Sequence, residues 1–158
     1  MAIRVERARP GDIAAVAEIE QQSFSDPWSE RAFRDVLDHA RIYFACARPR
    51  DDGKGGGSPV LGYVVAWFAS GEGEIANLAV APAARNRGVG SILLDAALAE
   101  ARRLGAEQIF LEVRSTNERA RRLYDSRGFV EVGRRKNYYR RPIEDAVILR
   151  RTERVATP

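Results

Sequence analysis

Histidine, cysteine and lysine are almost missing from this chain of 158 residues. His39 and Cys46 stand alone, and Lys54 and Lys136 are the only lysines among 26 basic residues. One cysteine rules out an internal disulfide and suits a reducing cytoplasm. Cys46 sits in Tyr43-Phe44-Ala45-Cys46-Ala47, which reads as a buried strand and a buried thiol. With one histidine and no Cys/His cluster, a structural metal site is not expected. A Ser-His-Asp triad would have to run through His39, which has no supporting motif. No apolar run approaches the roughly 20 residues that span a bilayer, and the first seven residues lack the apolar core of a signal peptide. A cytoplasmic protein without membrane association is therefore expected. The net charge of +4 is spread along the chain. It reads as arginine-rich solvated faces; a direct nucleic-acid role would need a denser patch.

The hydropathy pattern predicts one domain over residues 1–158, with 151–158 as a flexible tail. A strand over 3–7 precedes a helix capped by Asp12, whose stripe is Ile13, Val16, Ile19 and Phe24. Asp26-Pro27 ends it, and Ser29 caps a second helix carrying Phe33, Val36 and Leu37. Strands follow over 42–47 and 60–68, separated by a glycine-rich hairpin loop at 51–58. A strand over 74–80 leads to a long helix over 88–104, ended by Gly105. A strand over 108–114, a helix capped by Thr116 or Asn117 and closed by Gly128, and two strands joined around Pro142 complete the chain. The order β-α-α-β-β-β-α-β-α-β-β predicts an α/β (α+β) fold, a mixed sheet with helices on its faces.

The most informative segment runs from Asn77 to Leu94. It reads as strand, turn, Arg/Gly-rich loop and helix start, which is a way to build an anion site. Gly88 and Gly90 let the backbone approach a ligand, and unpaired N–H groups at the helix start favour a phosphate or pyrophosphate. Arg85 and Arg87 add charged donors. A dinucleotide fingerprint would need a third glycine where Leu93 stands, and a Walker A loop would need Gly-Lys-Ser/Thr, which is absent.

Arg85-x-x-Gly88-x-Gly90 after Asn77-Leu78-Ala79-Val80 resembles the acetyl-CoA loop of the GNAT acetyltransferases. Pro27-Trp28-Ser29, the run 111–117 (LEVRSTN), the run 123–129 (LYDSRGF), Asn137-Tyr138-Tyr139 and Glu144-Asp145-Ala146 resemble the RimI branch, the bacterial ribosomal-protein-alanine N-acetyltransferases. The likeness covers nearly the whole chain in order. It departs in a longer glycine-rich loop around Lys54 and a shorter segment over 140–143. It implies the GNAT fold, with about seven mostly antiparallel strands, a splayed β4/β5 pair and four helices. It further implies acetyl-CoA as cosubstrate, no metal, and transfer of acetyl to the N-terminal alanine of protein eighteen of the small ribosomal subunit by a monomer or weak dimer. Broader terminal, lysine or small-amine specificity is the alternative within the family. A basic ribosome- or RNA-binding module is the alternative outside it.

Direct attack on a thioester needs a neutral amine. Near pH 7 roughly 10% of an α-amine with pKa about 8 is neutral, against about 0.04% of a lysine, so a terminal substrate demands less of a base. By pattern alone Glu112 is a solvated strand carboxylate or a partner for Arg114; the resemblance makes it the general base. Tyr124 by spacing is a core tyrosine beside Leu123; the resemblance makes it the general acid. Leu78, Ala79 and Val80 should offer backbone groups to the cofactor arm, with the N–H of Val80 or a neighbour as oxyanion donor. Arg85, Asn86, Arg87, Gly88, Val89, Gly90 and Ser91 should hold the pyrophosphate. Asn117 is a cofactor contact or a plain helix cap. Trp28, Tyr138 and Tyr139 line the substrate side or serve hairpin and helix packing. A local acidic cleft built from Glu72, Glu74, Glu112, Glu144 and Asp145 is expected to attract a basic peptide.

Overall fold

The computed structural model describes residues 2–50 and 58–153. Its strands are β1 (Ile3–Arg7), β2 (Ile42–Pro49), β3 (Gly62–Ala69), β4 (Glu72–Val80), β5 (Gln108–Arg114), β6 (Val130–Tyr139) and β7 (Glu144–Thr152). The helices are α1 (Ile13–Ser23), α2 (Glu30–Leu37), α3 (Val89–Arg103) and α4 (Glu118–Asp125). One sheet takes the order β1-β2-β3-β4-β5-β7-β6. Neighbours pair antiparallel except β4 and β5. That parallel pair follows from α3, which carries the chain back across the sheet as a crossover.

Each face of the sheet buries its own core. Helix α3 puts Val89, Leu93, Leu94, Ala97, Leu98 and Ala101 against Ala45, Val64, Ile109 and Leu111, and α4 adds Tyr124 beside Phe129. On the other face α1 and α2 pack Ile13, Val16, Ile19 and Phe33 on Phe44, Cys46, Tyr63 and Val65. Cys46 is fully buried, as its strand context suggested.

The two cores meet at an irregularity in β4. Val65 of β3 pairs with Asn77 and Ala66 with Ile75, so Ala76 is an extra residue, a β-bulge. It resets the alternation of β4. Ile75 faces the α3 core, Ala76 and Asn77 face α1, and Leu78, Ala79 and Val80 then alternate again. A bulge bends its strand and raises the local twist. Parallel pairing of β4 with β5 stops at the same place, with Ile75 opposite Leu111. Beyond that point Asn77–Val80 and Glu112–Arg114 part, which is the splay the resemblance implied.

Several local expectations change. Asp12 precedes α1 but does not cap it with its side chain. Its carboxylate instead accepts from the Arg9 amide (2.8 Å) and the buried Arg48 guanidinium, because an ion pair on the β2 side outcompetes the helix end for it. Helix α3 starts at Val89, with Gly88 as N-cap. Strand β7 extends through Thr152, so residues 151–152 are sheet rather than tail, drawn in by pairing with Gln108. The glycine-rich stretch 51–57 and residues 154–158 lie outside the described residues.

Candidate active site

Glu112 is the first β5 residue past the last β4 partner. Burial alternates along β5, with Ile109, Leu111 and Val113 buried under α3 and the residues between them half-buried on the other face. The carboxylate therefore stands where the two strands separate. It opens onto a cleft of about 310 Å³ lined by Trp67, Glu72, Glu74, Phe110 and Arg135, among others. Arg135 of β6 pairs with it, Nε to Oε1 at 2.7 Å. The pairing with Arg114 considered from sequence does not form. Arg114 instead donates to Glu144 (3.2 Å), to the Pro142 and Arg140 carbonyls, and to Ser25 Oγ (2.6 Å). Its guanidinium lies over the Tyr139 ring at 4.5 Å, so it fastens the β6–β7 turn to the segment after α1.

The tyrosines gather around this point. Tyr138 is pushed up from the ordinary phenol value, first by the charge of Glu112 and then by burial and a hydrogen bond with that carboxylate. Burial raises Tyr139 to about 12, with Glu112 next in effect. Tyr124 lies on the far face, 7% exposed, edge-on to Phe129 with ring centroids 5.6 Å apart. Its phenol is raised to about 12 by burial and then by the neighbouring Tyr139. Tyr139 is thus within electrostatic reach of both Glu112 and Tyr124. Glu74 is also raised, by burial and then by the charge of Glu112, with Arg135 opposing.

The anion cradle is built at the start of α3. Gly88 has φ 80, the left-handed region, and Asn86 has φ 65. A Cβ placed on Gly88 would meet nothing within 4 Å, so this glycine is required by its backbone angle and leaves open space in front of it. No side chain caps α3, and the first intrahelical bond is Ile92 N to Gly88 O. The amides of Val89, Gly90 and Ser91 have no acceptor within the helix, a donor set that fits a pyrophosphate. Arg87 is exposed beside them. Arg85 is otherwise engaged: its Nε donates to the Val80 carbonyl (3.2 Å) and its Nη2 lies 3.5 Å from Ser23 Oγ. Gly90 holds its place without crowding, since a Cβ there would make only ordinary contacts with Leu123 and Val80.

Residues 13–129 match the model of the acetyltransferase (GNAT) family. The chain belongs to that family. The [ribosomal protein bS18]-alanine N-acetyltransferase of Salmonella typhimurium is 32% identical over 140 residues, 87% of this chain and 89% of that one. An uncharacterised protein of Mycobacterium leprae is 38% identical over 90% of this chain, which spans only 38% of that relative's length. The crystal structure of the ribosomal-protein-S18-alanine N-acetyltransferase from Escherichia coli matches with a TM-score of 0.85 and 28% identity, covering 99% of this chain and 97% of that one. This GNAT protein is an acetyl-CoA-dependent N-acetyltransferase of the RimI type.

Seen as a GNAT site, the sequence-selected residues fall into three groups. Glu112, Tyr138 and Tyr139 come together at the strand fork. Leu78–Val80 and the α3 start lie along one side of it. Asn117 caps α4 by accepting from Ala120 N (3.2 Å), so its oxygen is committed to the helix. The Trp28 ring packs on Phe33 at 5.4 Å, which makes it half-buried helix packing as much as cleft wall. Glu144 and Asp145 do not join the acidic cleft. Glu144 is taken up by donors at the end of β5, Thr116 and Arg114, and Asp145 accepts from the Asn137 amide of β6 (2.9 Å). Sequence reading missed Arg135, Trp67 and Phe110. Arg135 sits in the run Arg134-Arg135-Lys136, where only the irregular β6–β7 register selects which basic residue reaches Glu112.

Proposed function

We propose that this GNAT enzyme acetylates the N-terminal alanine amine of ribosomal protein bS18. The observation that carries this reading is Glu112 at the β4/β5 fork, hydrogen-bonded with Tyr138 and facing a cleft that also holds Glu74. A terminal ammonium entering there meets carboxylates. Glu112, directly or through a water, takes its proton. The neutral nitrogen attacks the thioester carbonyl carbon of acetyl-CoA, whose pantetheine arm runs along the free edge of Leu78–Val80 as an added strand would. The developing oxyanion is held by the Val80 N–H. The C–S bond then breaks, Tyr124 supplies a proton to the departing thiolate, and the phenolate is refilled, through water, by the second proton that the acylated nitrogen loses. The pyrophosphate rests on the amides of Val89, Gly90 and Ser91 with Arg87, while Asn86 shapes the loop. Asn117 borders the far end of the cofactor path, and Trp28 the acceptor side.

The likeness to bS18 alanine N-acetyltransferases supports the acceptor assignment, and the acidic lining supports a peptide with basic residues after its terminus. Turnover belongs in the cytoplasm, where acetyl-CoA and nascent ribosomal proteins meet. The test is an acetylation assay on peptides bearing the bS18 N-terminus, against versions with a blocked amine, acidic residues after alanine, or only a lysine side chain. The first should be turned over and the blocked peptide should not. Equal rates on the acidic or lysine-only peptides would replace this reading with broader amine specificity.

A further inference from the structure

Glu20 breaks the pattern of the helix that carries it. Helix α1 buries Ile13, Val16, Ala17 and Ile19, and Glu20 lies on that same stripe, one turn after Val16 and 1% exposed. Among the described residues it meets hydrogen-bond donors rather than a cation. The Trp28 amide donates to Oε2 at 3.0 Å, Asn77 Nδ2 lies 2.9 Å from each oxygen, and the Tyr63 phenol donates to Oε1. Tyr63 is pushed up by burial and then by the Glu20 charge, so it remains a donor at any working pH. A leucine of similar size would fill the site without a desolvation cost; only a carboxylate accepts from all three at once.

The partners sit at informative places. Asn77 directly follows the β4 bulge and precedes Leu78–Val80. Trp28 belongs to the segment that walls the acceptor side. Three residues on, α1 also reaches the loop before α3, through Ser23 beside Arg85.

We infer that Glu20 is a positioning residue for both substrates: its carboxylate pins the β4 bulge and the Trp28 segment to one point, fixing the gap between the acetyl-CoA strand and the acceptor wall. Glu20 touches neither substrate and acts through Asn77 and Trp28. The inference rests on the donor and acceptor sides assigned above.

The test compares Glu20→Gln, Asn77→Ala, their double variant and Val16→Ala, a core truncation one turn away on the same helix face. Acetyl-CoA affinity is read by calorimetry without acceptor, KM and kcat by peptide assay, and Tm by thermal melting. Losing one partner of a buried network, an acceptor in Glu20→Gln and a donor in Asn77→Ala, should weaken acetyl-CoA about tenfold in each, with the double variant no worse than the weaker single. Peptide KM should rise in Glu20→Gln but not in Asn77→Ala, where the Trp28 tether is intact. Val16→Ala should lose Tm while all three constants stay within about twofold. Unchanged affinity and KM in Glu20→Gln, or the same losses in Val16→Ala at matched Tm, would overturn the inference. If Glu20→Gln does not fold, Asn77→Ala and Tyr63→Phe decide, and unaltered acetyl-CoA affinity in both rejects it. Failure of the acceptor assignment shows separately, as a wild-type protein that binds acetyl-CoA but leaves the peptide unmodified.

Discussion

A phenol raised to about 12 is a poor acid toward a thiolate whose conjugate thiol sits near 8.5. In the proposed reaction Tyr124 therefore serves first as a fixed hydrogen-bond donor to the sulfur and gives up its proton only as the thiolate forms. Because its value is raised, it stays protonated throughout the usual range, so no alkaline limb below about pH 10 in kcat should belong to it. Tyr124→Phe should lower kcat about 100-fold, the ordinary worth of a positioned acid, and leave acetyl-CoA affinity within about twofold. Unchanged kcat would remove it from the chemistry. Glu112→Gln should lower kcat about as much, read by steady-state kinetics on one peptide. Gly88 is a third single-residue lever. With φ 80 and open space where a side chain would begin, Gly88→Val costs about 1–2 kcal/mol of backbone strain rather than a clash. It should also weaken acetyl-CoA, measurable by calorimetry, because relief of that strain turns the Val89 and Gly90 amides away.

At the scale of elements, the decisive feature is the bulge at Ala76, which moves Asn77 onto the α1 face and frees Leu78–Val80 from β5. The elements that flank the fork are held by ordinary means. Ser29 and Asn117 cap α2 and α4, and Gly105 and Gly128 leave their helices in the left-handed region. These are legible in the sequence because caps and closing glycines are local chemistry. Asp12 departs from its expected capping role for the opposite reason: its partner, Arg48, is 36 residues away. Helices α3 and α4 are joined by Arg127, whose Nε and Nη2 reach Asp95 at 2.9 and 3.1 Å. The Arg127 hydrogen bond holds the Asp95 carboxyl below its usual value. A lowered folded value means stability that is present above the unfolded value near 3.9 and lost as pH falls through the folded one. Asp95→Asn should therefore cost up to about 1 kcal/mol at pH 7, and the Tm difference from wild type should shrink as pH falls below the unfolded value.

For the whole molecule, charge and ligand binding act together. The protein carries +4 overall yet gathers Glu72, Glu74 and Glu112 in the cleft at the strand fork. On the proposed reading a polyanionic cosubstrate and a cationic peptide are drawn to different places on one surface. In the proposed placement acetyl-CoA bridges β4, α3 and the α4 region, so it should stabilise the fold as a unit. At 100 times its Kd it adds about 2.7 kcal/mol, which for a chain of this size raises Tm by roughly 5–10 °C. Thermal melts with and without acetyl-CoA check this, and Gly88→Val should show a smaller rise at the same concentration.

The sequence by itself determined the element order, the Arg/Gly loop at the start of α3 and the alternation that turns Glu112 away from the α3 core, since these depend on neighbours within a few positions. The tertiary structure decided the rest. Only strand register brings Arg135 of β6 onto Glu112, only the bulge opens the fork beside it, and only the packing of α1 under β3 and β4 gives the buried Glu20 its three donors. Most of those contacts join residues dozens of positions apart, and their pairing is set by how two cores close around one sheet.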